Sequence, residues 1–294
     1  MRIWLLIGLL GSYLSAQERP MFVNFDPNSK PVYKRELVQL SQQSLPPIAY
    51  IDKKIYLASS YKHLDDLINA LEEKIELTSE NALLRYYLGG VNGIKALSVY
   101  RLFAIPYVRS MLNNFNRSLA LDPNYTPALE AYIEALCLVP AIIGGSIQKA
   151  NLLSDKLISL SLVEGYFSKG FIAKHLGNKE ESQMAYGYAF NKLEEMDFCQ
   201  GDKKAFFETK SLNFSYKIAE ISAHYNMKPE IGLCAIDYFI EQNSPLYNIP
   251  LEWAYYRKAQ LQLNLNKKVE ANESLAKALL INPSFEHAKQ LIIP

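Results

Sequence analysis

Four histidines, three cysteines and a scatter of adjacent carboxylates are the side chains of this 294-residue chain that could perform catalysis or hold a metal. His63, His175, His224 and His287 lie far apart. None forms an H-x-x-x-H or Glu-x-x-His pair, the spacing that turns two ligands onto one helix face. No G-x-S-x-G elbow occurs, and no cysteine has the histidine partner that would activate it as a nucleophile. Glu180-Glu181 and Glu194-Glu195 fall on the polar faces of helical patterns and read as solvated charge. Gly89-Gly90 and Gly93 precede Lys95, but no strand comes before them and no Ser or Thr follows the lysine, so a phosphate-binding loop is not supported. These patterns call for no catalytic residue, no metal and no cofactor.

Charge is balanced, with 31 basic and 30 acidic residues, and leaves no electrostatic footprint for nucleic acid. Cys137 (EALCLVP) and Cys234 (IGLCAID) sit in apolar helical contexts suited to buried thiols. Cys199 follows a helix in a polar loop, within reach of Cys234 across one helical hairpin. Export would permit that disulfide, and the spacing does not demand it.

Residues 1–16 have the layout of a secretory signal: Arg2, an apolar run Ile3–Leu10 extended by Leu14, then Ser15-Ala16-Gln17. Cleavage is expected after Ala16. The first cysteine is Cys137, so no lipid-anchoring cysteine follows the apolar run. No later stretch is long and apolar enough to cross a bilayer. The expectation is an exported protein, periplasmic or extracellular.

The elements that must position any site are helical. Residues 17–53, with five prolines from Pro20 to Pro47, read as an extended arm with at most one short helix near Tyr33–Gln43. Residues 54–294 read as a helical repeat domain. One long helix is expected from Lys54 to Leu77 on the stripe Leu64, Leu67, Leu71 and Ile75. A second follows from Glu80, capped by Ser79, and a third is opened by Pro106. Leu121-Asp122-Pro123 and Ile281-Asn282-Pro283 are the same terminating signal at two places. Pro140 to Ser146 forms a lengthened turn with Gly144-Gly145 and an N-cap at Ser146. Lys204 to about Asn226 reads as one long helix, and Pro283 to Leu291 as a closing cap.

The stretch from Tyr255 to Pro283 holds small residues at Ala259, Ala271 and Ala278, with Leu275 between the last two. A looser copy runs from Tyr166 to Ala189, where Gly170 and Ser182 repeat the offset of Ala259 and Ala271, and Gly177-Asn178 makes the turn. This spacing resembles the tetratricopeptide repeat (TPR) pattern, with Tyr255 at its first aromatic position and Gln262 where a tyrosine is usual. Residues 81–190 resemble a variety found in exported bacterial TPR proteins, with a Gly-Gly loop before Lys149-Ala150. The resemblance implies an all-α, right-handed solenoid of about five antiparallel helix pairs. It also implies a non-catalytic role in protein–protein interaction or scaffolding, with a partner peptide or helix on the concave face.

Positions facing that concave side, read from the two copies, are Phe167, Phe171, Lys174 and His175, then Tyr256, Gln260, Leu263 and Asn264, with Glu220 and His224 between. Phe167 and Phe171 fit a groove and a covered core equally well. No row of Lys and Asn matches the TPR carboxylate clamp. An alternative role is glycan or cell-wall binding through exposed aromatic rings.

Overall fold

The computed structural model describes residues 29–61, 63–210, 213–242 and 249–292. The expected export segment, its cleavage point and the first part of the arm lie outside them. Among the described residues the regular structure is helical throughout.

The helices are α1 (Ser29–Ser41), α2 (Pro47–Ser60), α3 (Leu64–Leu77), α4 (Ala82–Ser98), α5 (Arg101–Leu121), α6 (Thr126–Leu138), α7 (Ile147–Leu160), α8 (Leu162–His175) and α9 (Lys179–Glu195). They continue as α10 (Lys203–Phe207), α11 (Phe214–Tyr225), α12 (Pro229–Glu241), α13 (Leu251–Asn264), α14 (Lys268–Ile281) and α15 (Glu286–Leu291). Six hairpins follow: α2/α3, α4/α5, α6/α7, α8/α9, α11/α12 and α13/α14. α1 packs on the first pair and α15 on the last.

Local chemistry sets these boundaries. Asn81 caps α4 by accepting from the Leu84 N–H, Ser146 caps α7 by accepting from Lys149, and Asn178 caps α9 by accepting from Glu181. Ser79, two residues earlier, is not the cap of α4. α8 and α13 end alike: Gly177 and Asn266 take positive φ (79° and 58°). The next N–H in each, of Asn178 and Lys267, returns to the carbonyls of Ala173 and Gln262. α5 and α14 also end alike, since Asp122 and Asn282 accept from the N–H two residues on, with nearly the same backbone angles. The Asn282 turn delays the final helix to Glu286. Between α6 and α7, Gly144 has φ 118°, and a Cβ on Gly145 would fall on the Val139 carbonyl oxygen, so both positions need glycine.

Four expected elements differ. The expected arm is helical at Ser29–Ser41 and again from Pro47, where Pro46 and Pro47 sit at the N-cap and first turn of α2 and the missing N–H costs nothing. The expected helix Lys54–Leu77 is instead two helices, one ending at Ser60 and the next starting at Leu64, and the split supplies the sixth pair. There the His63 ring stacks 3.8 Å from buried Tyr33, tying α1 to the turn. The expected helix Lys204–Asn226 is interrupted between Phe207 and Phe214; the Phe206 and Phe207 rings meet Phe198 on one side and Phe214 on the other. Pro106 lies within α5 rather than at its start. It removes only the bond to the Leu102 carbonyl, which sits in the exposed first turn.

The core is a row of clusters passed from pair to pair. Tyr33, Leu67, Leu71 and Leu88 lead, then Phe115, Leu129, Ile133 and Leu157. Phe167, Tyr186, Phe190 and Phe214 follow, and Trp253, Tyr256, Leu261 and Leu275 close the row. Each pair buries its apolar face on its neighbours, as a linear stack requires. The disulfide Cys199–Cys234, Cα atoms 5.5 Å apart, fastens the α9–α11 connection to α12. Cys137 is a buried free thiol.

Candidate partner-binding face

The first helices of successive pairs lie side by side: α4 against α6, α6 against α8, and α11 against α13. Ala259, Ala271, Ser182, Ala189 and Ala278 are fully buried at the nesting positions. The architecture is TPR-like.

Lys217 of α11 bridges Glu130 and Glu134, one turn apart on α6. An ion pair that spans from α11 to α6, past α8, requires the row to curve with its first-helix side inward. Burial alone would lower the Lys217 ammonium pKa. The two carboxylates outweigh it and hold the group above the ordinary lysine range. Burial pushes Glu130 above the usual carboxylate range, with Lys217 opposing and Glu134 and Glu164 adding to the rise. Beside them Lys210 pairs at 2.9 Å with Glu164, whose side chain is fully buried. These five charged side chains, three carboxylates and two ammonium groups, tie the α9–α11 connection and α11 to α6 and α8. Sequence reasoning missed the cluster. Its one signal was Glu130 and Glu134 within the otherwise apolar run ALEAYIEALCL.

A second lateral tie joins α11 to α13. Arg257, only 3% exposed, pairs with Glu220 at 3.1 Å, donates to the Tyr216 hydroxyl at 3.3 Å and to Gln260 at 2.8 Å. Its guanidinium also lies over the Tyr256 and Trp253 rings. Gln260 donates to the Tyr256 hydroxyl at 3.0 Å, and Asn264 to the Ala223 carbonyl at 3.3 Å. Glu220, Tyr256 and Gln260 are thus brought together around an arginine that the sequence reading did not select, and Asn264 reaches α11 separately, further along α13.

Two expected face residues are corrected. Phe167 is 1% exposed and packs among Tyr186, Phe190 and Phe214. Tyr256 is 4% exposed, with its ring edge-on to Trp253 and Phe285. Both are core, because their positions turn toward neighbouring helices rather than along the open side. Phe171 is half-buried against the Leu129–Ile133 cluster. Lys174, His175, Glu220, Gln260, Leu263 and Asn264 are half-buried and His224 is exposed; Lys174 approaches the Tyr225 ring at 6.0 Å. This partly open set sits in the C-terminal halves of α8, α11 and α13.

No protein-family model matches the chain, and no curated protein does. Among solved structures, a tetratricopeptide repeat protein from Parabacteroides merdae ATCC 43184 aligns over 92% of this chain and 97% of its own. Identity is 14% and the TM-score 0.45. The face is therefore read from this chain's own geometry.

Proposed function

We propose that this chain is a non-catalytic binding or scaffolding protein of the cell envelope. It holds a peptide or helix of a partner protein along the C-terminal halves of α8, α11 and α13. The observation that carries this reading is the lateral fixing of these helices: Lys174 against Tyr225, Arg257 against Glu220, and Asn264 against the Ala223 carbonyl. Side chains from three successive hairpins then form one preformed surface, which lowers the ordering cost of binding. Phe171 and Leu263 supply apolar contact; Lys174, His175, His224 and Gln260 supply hydrogen bonds and charge. Export is supported by the signal-like layout of residues 1–16 and by a disulfide of the kind that oxidising compartments favour.

The test is the affinity of the partner recovered from envelope extract for purified variants. Lys174→Glu combined with Asn264→Lys should weaken binding at least about tenfold. Glu180→Lys, on an exposed turn of α9, should leave it unchanged. Equal affinity for all three proteins would reject this face.

A further inference from the structure

α1 closes the first end of the stack on few contacts. Among its described side chains only Tyr33 and Leu40 are buried, while Val32 and Val38 face solvent. A helix anchored by so little apolar surface belongs to the easily opened part of a fold. Tyr33 is nevertheless a member of the first core cluster, with Ala58, Leu64, Leu67 and Leu71. Anything that weakens the seat of Tyr33 therefore loosens α1 and uncovers that apolar end.

The seat is a histidine. In the turn between α2 and α3 the His63 ring lies on the Tyr33 ring, centroids 3.8 Å apart and planes 16° from parallel. One face of the imidazole is thereby closed to water, and the side chain is 21% exposed. Among the described residues two charged groups face it, one from each side. Asp66 of α3 has its Oδ2 3.6 Å from Nδ1, too far for a hydrogen bond. That carboxylate is itself 43% exposed, so solvent screens its attraction. Lys30, one turn before Tyr33 on α1, repels a positive charge on the ring. Asp65, the residue before Asp66, turns instead to Lys95 of α4. The other ionisable neighbours are phenols: Tyr33 itself, Tyr61 with its ring 5.8 Å from that of Tyr33, and Tyr50 of α2. Burial holds the Tyr33 phenol above its ordinary range, with Asp66 adding to the rise, and Glu36 of α1 raises Tyr61. Neither is charged where a histidine titrates.

We propose that His63 is a proton-operated latch for α1: the neutral ring holds the helix on the first hairpin, and protonation loosens it and opens the apolar end of the stack. The cause is desolvation, since an imidazolium loses water on the face that Tyr33 covers. Burial lowers the His63 pKa from its ordinary 6.5; Asp66 opposes that and Lys30 adds to it. Because the folded value is the lower one, the seating of α1 is fully stable above 6.5 and weakens as pH falls from there toward the folded pKa.

The experiment is hydrogen exchange of the full chain, read by mass spectrometry on peptides from α1 and from α14, between about pH 8 and about pH 5. Each rate is divided by the intrinsic rate at that pH. The NMR ring signal of His63, assigned by its loss in His63→Gln, gives the titration midpoint. That midpoint should lie below 6.5; Lys30→Gln should move it up and Asp66→Asn should move it further down. Protection of α1 should be lost across the same midpoint while that of α14, at the other end of the stack, stays unchanged. His63→Gln should show no such step. Where His63→Gln leaves α1 open at every pH, Lys30→Gln and Asp66→Asn carry the test, because the loss of protection must follow their shifted midpoints. A midpoint at or above 6.5, no step of α1 protection in the wild type, a step retained in His63→Gln, or a step that stays put when the midpoint moves would overturn the proposal.

Discussion

Replacing Gly170 by alanine separates close hairpin nesting from ordinary helix packing. In an exposed helix interior, Gly→Ala stabilises by about 1 kcal/mol, because glycine loses more backbone freedom on folding. At position 170 the new Cβ would lie 2.4, 2.5 and 2.8 Å from three ring atoms of Tyr186. That ring is 2% exposed and held between Phe167 and Tyr225, centroids 5.9 and 5.3 Å away. It cannot turn aside without displacing both. Overpacking of this kind costs about 1–3 kcal/mol. The net effect should be destabilisation of about 1 kcal/mol. Gly187, on the partner helix α9, has no atom within 4 Å of its would-be Cβ. Gly187→Ala should therefore stabilise by about 1 kcal/mol, opposite in sign to its neighbour. Urea unfolding followed by circular dichroism reads both, with the midpoints moving apart and the slope unchanged. Combining Gly170→Ala with Tyr186→Leu should cost less than the sum of the single changes, since the leucine vacates the contested space. If Gly170→Ala stabilises as Gly187→Ala does, α8 and α9 do not nest as described.

Other outcomes follow from the same structure. Lys217→Met leaves Glu130 and Glu134 facing each other with Glu130 buried, and should cost about 3–5 kcal/mol; adding Glu130→Gln and Glu134→Gln should recover part of it. The disulfide closes a separation of 35 residues, so Cys199→Ser should lower stability by about 3–4 kcal/mol in the chain-entropy account. Calorimetry of the variant beside reduced wild type checks this, and the two should agree. The Arg117 and Arg85 hydrogen bonds hold the Glu80 carboxyl down at about 2. A lowered carboxylate pKa contributes stability that is present above the unfolded value near 4.5 and lost as pH falls toward 2. Stability of wild type and Glu80→Gln should converge across that window, and coincident curves at neutral pH would refute the ion-pair role.

The repeats were legible because their markers are local. Small residues twelve apart, a glycine or asparagine at the hairpin turn, and Asp-Pro or Asn-Pro terminators each act within a few residues, and the structure repeats their backbone geometry in both copies. The split helices were not legible. Pro46-Pro47 reads equally as loop or helix start, and the structure places it at the N-cap and first position of α2. Residues 204–226 keep helical periodicity, yet the packing of Phe206 and Phe207 against Phe198 and Phe214 interrupts the helix there. The lateral ties were least visible. Lys217 meets its carboxylates 83 and 87 residues away, a pairing that depends on how far the stack curves. For Phe167, one sequence position is compatible with groove and core, and only the packing of α9 and α11 around it places it inside.

The most direct test of the binding face is photocrosslinking in the native host, with a photoreactive amino acid placed in turn at Lys174, Gln260 and Asn264. The account predicts that all three positions capture the same partner, while an outer position such as Glu180 captures none. Capture of that partner from Glu180 with none from the three inner positions would contradict it.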